Sequence, residues 1–393
     1  MPRPTRRNIG ASLLIATALA VSACGGGHAG TAASGNARSP AGSSQSAAPL
    51  LTGAGGVSGS SGAPTASHPT SASSTASATE PADQFTISFA GDVHFAERTA
   101  ARLAADPATA FGVSAAVLGK ADLSMVNLET TIAVGGQAES KSFTFQAPPS
   151  AFTALRDAGI DIATMANNHG ADYGSAGLTQ TLAAIKASGF PVVGIGANAT
   201  AAFAPYYRTV NGVRLAIVAA SQVQDETLAH FSATDTSPGI ANAYSDRLVA
   251  AVRSAKAHAD VVIAYIHWGT EYQSCPNADQ RALADTLAAA GATAIVGTHA
   301  HVLQGAGWRP DGKYVAYGLG NYFWWRSFGN DQDDNGVLTL TIAGKKVTAA
   351  RFIPSRLDDQ GISPPATGAT AARIDAEFAQ ARRCADLAAT PGG

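Results

Sequence analysis

The chain has 393 residues, 46% hydrophobic and 14% charged, with 26 Lys and Arg against 28 Asp and Glu. A balance this close to neutral, turning mildly acidic once the basic leader is set aside, argues against a nucleic-acid or polybasic membrane-surface role. Past the leader and a low-complexity stretch, about 310 residues remain, enough for one large α/β domain with a substantial core.

At the N-terminus, Arg3, Arg6 and Arg7 precede an apolar run from Leu13 to Val21 that is too short to span a bilayer, which is the pattern of an export signal. The Arg6-Arg7 pair also allows twin-arginine export. The run ends in Val21-Ser22-Ala23-Cys24, which resembles a bacterial lipobox and implies that residues 1–24 are a lipoprotein signal with Cys24 as the acylated N-terminus. Ordinary secretion with cleavage nearby is the alternative. From Gly25 to Asp83 the chain is Gly, Ala, Ser, Thr and Pro with almost no large apolar residue, so burial cannot offset the entropy of ordering. This segment reads as a disordered tether with a root-mean-square reach on the order of 40 Å.

From Gln84 onward, strand and helix signals alternate. Phe85–Ala90, Leu123–Asn127, Ile160–Met165, Pro191–Ile195, Leu215–Ala220, Val261–Ile266, Ala294–Gly297 and Tyr314–Tyr317 are apolar, often β-branched runs of strand length. Ser175–Ala187, Ser245–His258 and Asp279–Ala290 carry apolar residues at helical spacing. Gly336–Ile342 and Lys346–Phe352 flank Ala-Gly-Lys and read as a hairpin, and Arg373–Ala388 as a last helix. The pattern predicts an α/β domain over 84–356, with sheets covered by helices, and a C-terminal helix and tail over 357–393. With Cys24 acylated, Cys275 and Cys384 remain. They either pair, stapling the last helix to the loop after His267, or stay free thiols, because sequence alone does not give their separation.

The polar residues at the strand ends carry the chemistry. Asp92 and His94 leave the first strand two residues apart, and His299 and His301 repeat that spacing after a late strand, so in an extended chain each pair addresses one point. Glu129, Asn168 and His267 also follow strand-like runs. In open α/β sheets the carboxyl ends of strands form the crevice where ligands gather. Singly, each residue reads as a core histidine or a helix-capping acid; together they supply the oxygen and nitrogen donors of a metal centre.

Gly91-Asp92-x-His94, an acid after the second strand, Asn168-His169, His267 and His299-x-His301 resemble the calcineurin-like metallophosphoesterase signature. More closely, Asn127-Leu128-Glu129, Asn167-Asn168-His169, His267-Trp268-Gly269-x-Glu271-Tyr272, Gly297-x-His299-x-His301-x-x-Gln304 and Tyr317-x-Leu319-Gly320-Asn321 resemble the CapA family of poly-γ-glutamate capsule synthesis, over Phe85 to Phe352. The resemblance implies a four-layer αββα sandwich with mixed sheets. It further implies two divalent ions, Mn, Fe or Zn, with Asp92, His94 and His301 on one, Asn168, His267 and His299 on the other, Glu129 between them, and His169 protonating the leaving oxygen.

Three positions depart from the phosphoesterase pattern or from its usual CapA form. The bridging acid is Glu where Asp is usual, Asn167 stands where Gly is usual, and His94 is present where CapA-like chains often lack it. Around the ligands, Glu271 either orients His267 or is a solvated loop acid, and Gln304 is expected to support a ligand. Asn321 faces the pocket or forms a turn, and Asp172 caps the helix near Ser175. The aromatic run Tyr322–Trp325 either lines a polymer or sugar groove or packs into the core through alternate residues, packing being the favoured reading. Two functions fit. One is a lipid-anchored, extracytoplasmic hydrolase of capsule or surface-polymer biosynthesis, cutting a phosphoester or an amide in an envelope or capsule component; the other is a non-catalytic accessory that binds or exports an anionic polymer for a membrane synthase. No nucleic-acid partner is expected.

Overall fold

The β-branched runs legible in the sequence become the inner strands of two sheets, and their two-sided burial decides the layer order. The computed structural model describes residues Asp83–Gly392. The signal segment, Cys24 and the tether through residue 82 lie outside the described residues. In chain order, β1 (Gln84–Val93), α1 (Glu97–Ala105), β2 (Leu123–Leu128), α2 (Ser150–Asp157), β3 (Ile162–Thr164), α3 (Gly174–Ser188) and β4 (Val192–Val193) come first. Then follow β5 (Tyr206–Val210), β6 (Val213–Ser221), α4 (Asp246–His258), β7 (Val261–His267), α5 (Ala278–Ala290), β8 (Ala294–Thr298), β9 (Ala306–Trp308) and β10 (Tyr314–Ala316). The chain ends with β11 (Asn321–Phe323), β12 (Asp334–Ala343), β13 (Lys346–Arg356) and α6 (Gly368–Cys384).

The first sheet runs β13-β12-β1-β2-β3-β4, with β11 parallel to the end of β1; the second runs β9-β10-β8-β7-β6-β5. Both are mixed. In the first, β1, β2 and β3 are parallel while β12 pairs antiparallel with β1, Phe85 opposite Ile342. In the second, β6, β7, β8 and β10 are parallel and β5 and β9 antiparallel edges.

Side-chain alternation separates the two faces of the second sheet. Leu215, Ile217, Ile263 and Tyr265 join Ile87 and Phe89 of the first sheet in one core, whereas Ala216, Val218, Val262, Ala264 and Ile266 pack under Leu248 and Val252 of α4 and Leu287 of α5. The Tyr265 hydroxyl crosses between the sheets and donates to the Ala90 carbonyl at 3.1 Å. Leu103 of α1 and Phe152 and Leu155 of α2 cover the first sheet. The layers are therefore helix, sheet, sheet, helix, as expected. Each large apolar side chain so buried contributes about 1.5–3 kcal/mol over leaving it exposed.

Local chemistry explains the element ends. Ser245 accepts from the Arg247 N–H to start α4, and Asn277 and Gln280 form a reciprocal capping box on α5. The strand expected over Pro191–Ile195 is split: Gly194, at φ +83°, turns the chain so that Ile195–Gly196 pairs with Gly239–Ile240 instead of continuing β4. The C-terminal helix begins five residues earlier than its apolar pattern suggests and stops at Cys384. Cys384 forms a disulfide with Cys275, with Cα atoms 5.8 Å apart, which resolves the alternative left open by the sequence. This bond ties α6 to the loop after β7.

Candidate metal centre

Parallel strands end on one edge, so β1, β2 and β3 deliver Asp92, Glu129 and Asn168 to the same rim, and β7 and β8 deliver His267, His299 and His301 from the facing sheet. Pairing sets the depth: Asp92 is opposite Asn127 on one side and Asn321 on the other. The approach of β11 requires Gly91, because a Cβ there would lie 1.8 Å from the Gly320 carbonyl oxygen. That closeness lets the Asp92 N–H donate to the Gly320 carbonyl at 3.0 Å.

Two buried groups of potential metal ligands result, Glu129 with His299 and His301, and Asp92 with Glu129 and His267, the donor atoms within 4.8 Å of one another in each. Glu129 belongs to both. His267 Nε2 lies 3.4 Å from Glu129 Oε1 and 2.8 Å from Asn168 Oδ1, and His301 Nδ1 lies 3.4 Å from Asp92 Oδ2. The pairings the resemblance implied are present beside these groups, since His301 Nδ1 is the atom near Asp92 Oδ2 and the His267 and His299 ring centres lie 4.7 Å apart. His299 and His301 are not extended but have φ of 95° and 54°, so a left-handed turn rather than a pleat brings both imidazoles toward Glu129. Two non-glycine residues held there so close together mark stored backbone strain at the site.

His94 stands in neither group. Its ring stacks on Trp324 with centroids 4.0 Å apart, meets Phe145 edge-on at 4.1 Å, and uses Nε2 to accept the Trp325 N–H at 3.1 Å. Its Nδ1 is buried without a partner.

The electrostatics suit a cation. Burial, and then the charge of Asp92, push the Glu129 carboxyl well above its ordinary range. Burial holds His267 and His299 well below theirs, in the neutral form that can ligate. Burial also lowers His301, but the Asp92 hydrogen bond outweighs it and the net direction is upward. Glu129 Oε1 and His299 Nδ1 are buried with no hydrogen-bond partner. An orphaned buried polar atom costs about 1–3 kcal/mol, and a divalent ion held by oxygen and imidazole nitrogen would satisfy both atoms. The donor set contains no thiolate and fits such an ion.

The surrounding residues agree only in part with expectation. Asn321 Oδ1 sits 2.9 Å from His301 Nδ1 and orients that ring. Glu271 does not touch His267, whose Nδ1 instead lies 3.0 Å from Thr298 Oγ1; Glu271 is exposed at the mouth of the cleft, because the loop after β7 turns outward. Gln304 bonds Gln280 at 2.8 Å and the Gln273 carbonyl at 2.7 Å, bracing the loop that carries the disulfide rather than a ligand. Asp172 caps no helix. It accepts from the Phe145 N–H and pairs with Lys141 Nζ and with His169 Nδ1, because its side chain turns back to the His169 loop. Of the aromatic run, Tyr322 and Phe323 join the core as expected, but Trp324 and Trp325 line the cleft.

Sequence reasoning left Asn127, Lys141 and Thr298 without roles. Asn127 donates to Asp92 Oδ1 at 2.9 Å, and a signal for it existed: two residues before Glu129 in a strand, it faces the same side. Lys141 reaches the site from an irregular loop and carried no local signal. Asn167, in the position where glycine is usual, donates to Asn127 Oδ1 and to the Leu128 carbonyl, both at 2.9 Å, and so clamps two strand ends together.

The family described as Bacterial capsule synthesis protein PGA_cap matches residues 86–324. Capsule biosynthesis protein CapA of Bacillus anthracis is 33% identical over 219 residues, 52% of each chain. PGA biosynthesis protein CapA of Bacillus subtilis (strain 168) is 34% identical over 187 residues, 46% of this chain and 47% of that one. The chain thus spans about half the length of the curated relatives it matches. Among solved structures, a novel phosphatase from Mycoplasma pneumoniae aligns with a TM-score of 0.46 and 16% identity, over 71% of this chain and 96% of that chain. Because the family match takes in most of the described domain and every ligand residue at the strand ends, this chain belongs to the bacterial capsule synthesis protein family PGA_cap.

Proposed function

We propose that this protein works outside the cytoplasm, anchored by a lipid on Cys24 and held off the membrane by its tether, in the assembly of an anionic capsule polymer of the poly-γ-glutamate type. There it uses a two-metal site for hydrolase-like chemistry on a phosphoester or amide of that polymer or its precursor. The observation that carries the reading is Glu129, shared by two groups of buried ligands. Asp92, Glu129 and His267 with Asn168 would hold one divalent ion, and Glu129, His299 and His301 the other. Bound there, the pair supplies a deprotonated water near neutral pH and charge stabilisation for the transferring group.

The chain's own residues do the rest. Two carboxylates against two divalent ions leave the pocket cationic, drawing an anionic group inward. Asp172 on His169 Nδ1 fixes that ring with Nε2 free to hold a proton for the leaving oxygen. Asn321 and Thr298 lock the rings of His301 and His267. A partner synthase in the membrane would supply the growing chain.

A second reading, polymer binding without turnover, is favoured by His94, which stands outside both ligand groups while its ring packs on Trp324 and its Nε2 accepts from the Trp325 N–H. Full-length protein purified in detergent separates the two. Bound metal is measured, and turnover of bis(p-nitrophenyl) phosphate and poly-γ-glutamate is compared with a His299→Ala variant. Metal-dependent turnover lost in the variant supports the hydrolase. Tight polymer binding without turnover, unchanged by chelation, supports the accessory and overturns the metal reading.

A further inference from the structure

Arg326 lies at the mouth of the cleft that His169 and His301 line. Its guanidinium carbon is 4.4 Å from the Trp325 ring centre, 4.6 Å from Phe328 and 5.8 Å from Phe143. Its Nε is buried without a hydrogen-bond partner, as is the indole Nε1 of neighbouring Trp324. Among the described residues no carboxylate pairs with Arg326; Glu271 lines the same mouth but remains beyond ion-pair distance.

Aromatic rings against a guanidinium occupy its faces and restrict its rotamers, while its N–H donors point outward in the plane. Such a fork takes a planar oxyanion edge-on, in two parallel hydrogen bonds. A cation already matched to an internal carboxylate could not do this, and an arginine free in solvent would lose more entropy on binding. Trp324, whose indole N–H is buried without a partner, lines the same cleft.

We propose that Arg326 is a specificity-determining residue that binds an anionic substituent of the substrate other than the one drawn to the ligand residues, with the apolar or ring-shaped body between the two anions packed on Phe143, Phe145 and Trp325. The substrate class is thus a molecule with two separated anionic groups. This rests on the proposed metal site for the first anion but not for the second.

Two non-hydrolysable probes differing only in the second anion test this on the full chain in detergent with Mn²⁺, phenylphosphonate and para-carboxyphenylphosphonate, with binding read by tryptophan quenching and calorimetry. The carboxylate should tighten wild-type binding about tenfold, the scale of one charge-assisted hydrogen-bonded pair. Arg326→Gln should abolish that preference while leaving phenylphosphonate affinity unchanged, and Arg326→Lys, a point charge lacking the fork, should restore part of it. A preference that survives Arg326→Gln, or is absent in wild type that binds both probes, overturns the proposal. If neither phosphonate binds, the metal site has failed, and benzoate titrated into chelator-treated protein decides Arg326 alone. Saturable quenching in wild type that is lost in Arg326→Gln sustains it, and no difference between them overturns it.

Discussion

His169 Nδ1 stands 2.6 Å from Asp172 Oδ2, both side chains being buried, at one wall of the ligand cluster. The contact fixes the ring's orientation and leaves its other nitrogen toward the cleft. Asp172 is itself held by the Phe145 N–H at 2.8 Å and by Lys141 Nζ at 2.9 Å, and Lys141 also meets Asp225 at 3.0 Å. The imidazole is therefore placed by a chain of buried polar contacts reaching from the β3 exit to the start of a short helix at Glu226–Phe231.

Replacing Asp172 by Asn keeps the shape but removes the charge. If His169 protonates a leaving group, turnover in Asp172→Asn should drop by about 10²- to 10⁴-fold, the range for a general acid, with KM nearly unchanged. Steady-state kinetics check this. An effect confined to KM would refute the assignment of His169.

The same substitution leaves Lys141, whose side chain is only 8% exposed, with Asp225 as its remaining carboxylate partner among the described residues. Leaving a buried charge with no partner costs about 3–5 kcal/mol; with Asp225 retained, the loss should fall below that range. Burial pushes the Asp172 carboxyl up, but His169 and Lys141 outweigh it and hold the folded-state value below the ordinary one. Its stabilising contribution is therefore complete above the unfolded carboxyl's range, about pH 4, and lost as pH falls through the lower folded value. The stability gap between wild type and Asp172→Asn should be full at neutral pH and close in acid. Urea titrations at several pH values measure it, and a gap that widens in acid would count against it.

Ligands that bind only the folded state stabilise it by mass action. At a hundredfold excess over Kd, Mn²⁺ or Zn²⁺ should add about 2.7 kcal/mol, raising Tm, and EDTA should reverse the gain. His299→Ala should bind less metal and lose most of the shift. Equal shifts in the two proteins would place the ion elsewhere.

The Cys275–Cys384 bond closes a loop with a sequence separation of 109. Chain-entropy arguments assign about 4–5 kcal/mol to a loop of that size. Cys384→Ser should unfold at lower denaturant, and its loop around Tyr272 should exchange amide hydrogens faster. Unchanged exchange there would show that Gln304 braces the loop by itself.

Gly91→Ala would push a Cβ into the Gly320 carbonyl. Overpacking of this kind costs about 1–3 kcal/mol or more, and the separation of β1 from β11 should misplace Asp92. We expect metal affinity to fall along with stability, as seen by calorimetry. Loss of stability with metal affinity intact would show that the β1–β11 contact is structural only.

Much of the architecture was legible in the chain. Val261–Ile266 reads as a strand from its continuous apolar, often β-branched run, and such runs together with helical spacing locate β6, α4 and α5 to within a residue or two. Those signals are local. The same holds for the candidate ligands, since Asp92, Glu129, Asn168, His267, His299 and His301 all sit where a strand ends.

How those residues divide among themselves was decided by tertiary structure. An extended reading of Asp92-x-His94 and His299-x-His301 pairs each couple on one point, yet His94 is captured by the face of Trp324, and His299 and His301 turn through positive φ. Sequence alone also misassigned Asp172 and Gln304, left Glu271 open between orienting His267 and standing in solvent, and gave no hint of Lys141. Each is set by a loop whose path depends on contacts far along the chain. Alternation and propensity report what a residue's own element needs to bury; a loop's path and a ring's partner are settled only when distant elements pack together. The chain by itself therefore determined the layers and the chemistry at their edge, and only folding determined which of those side chains face one another.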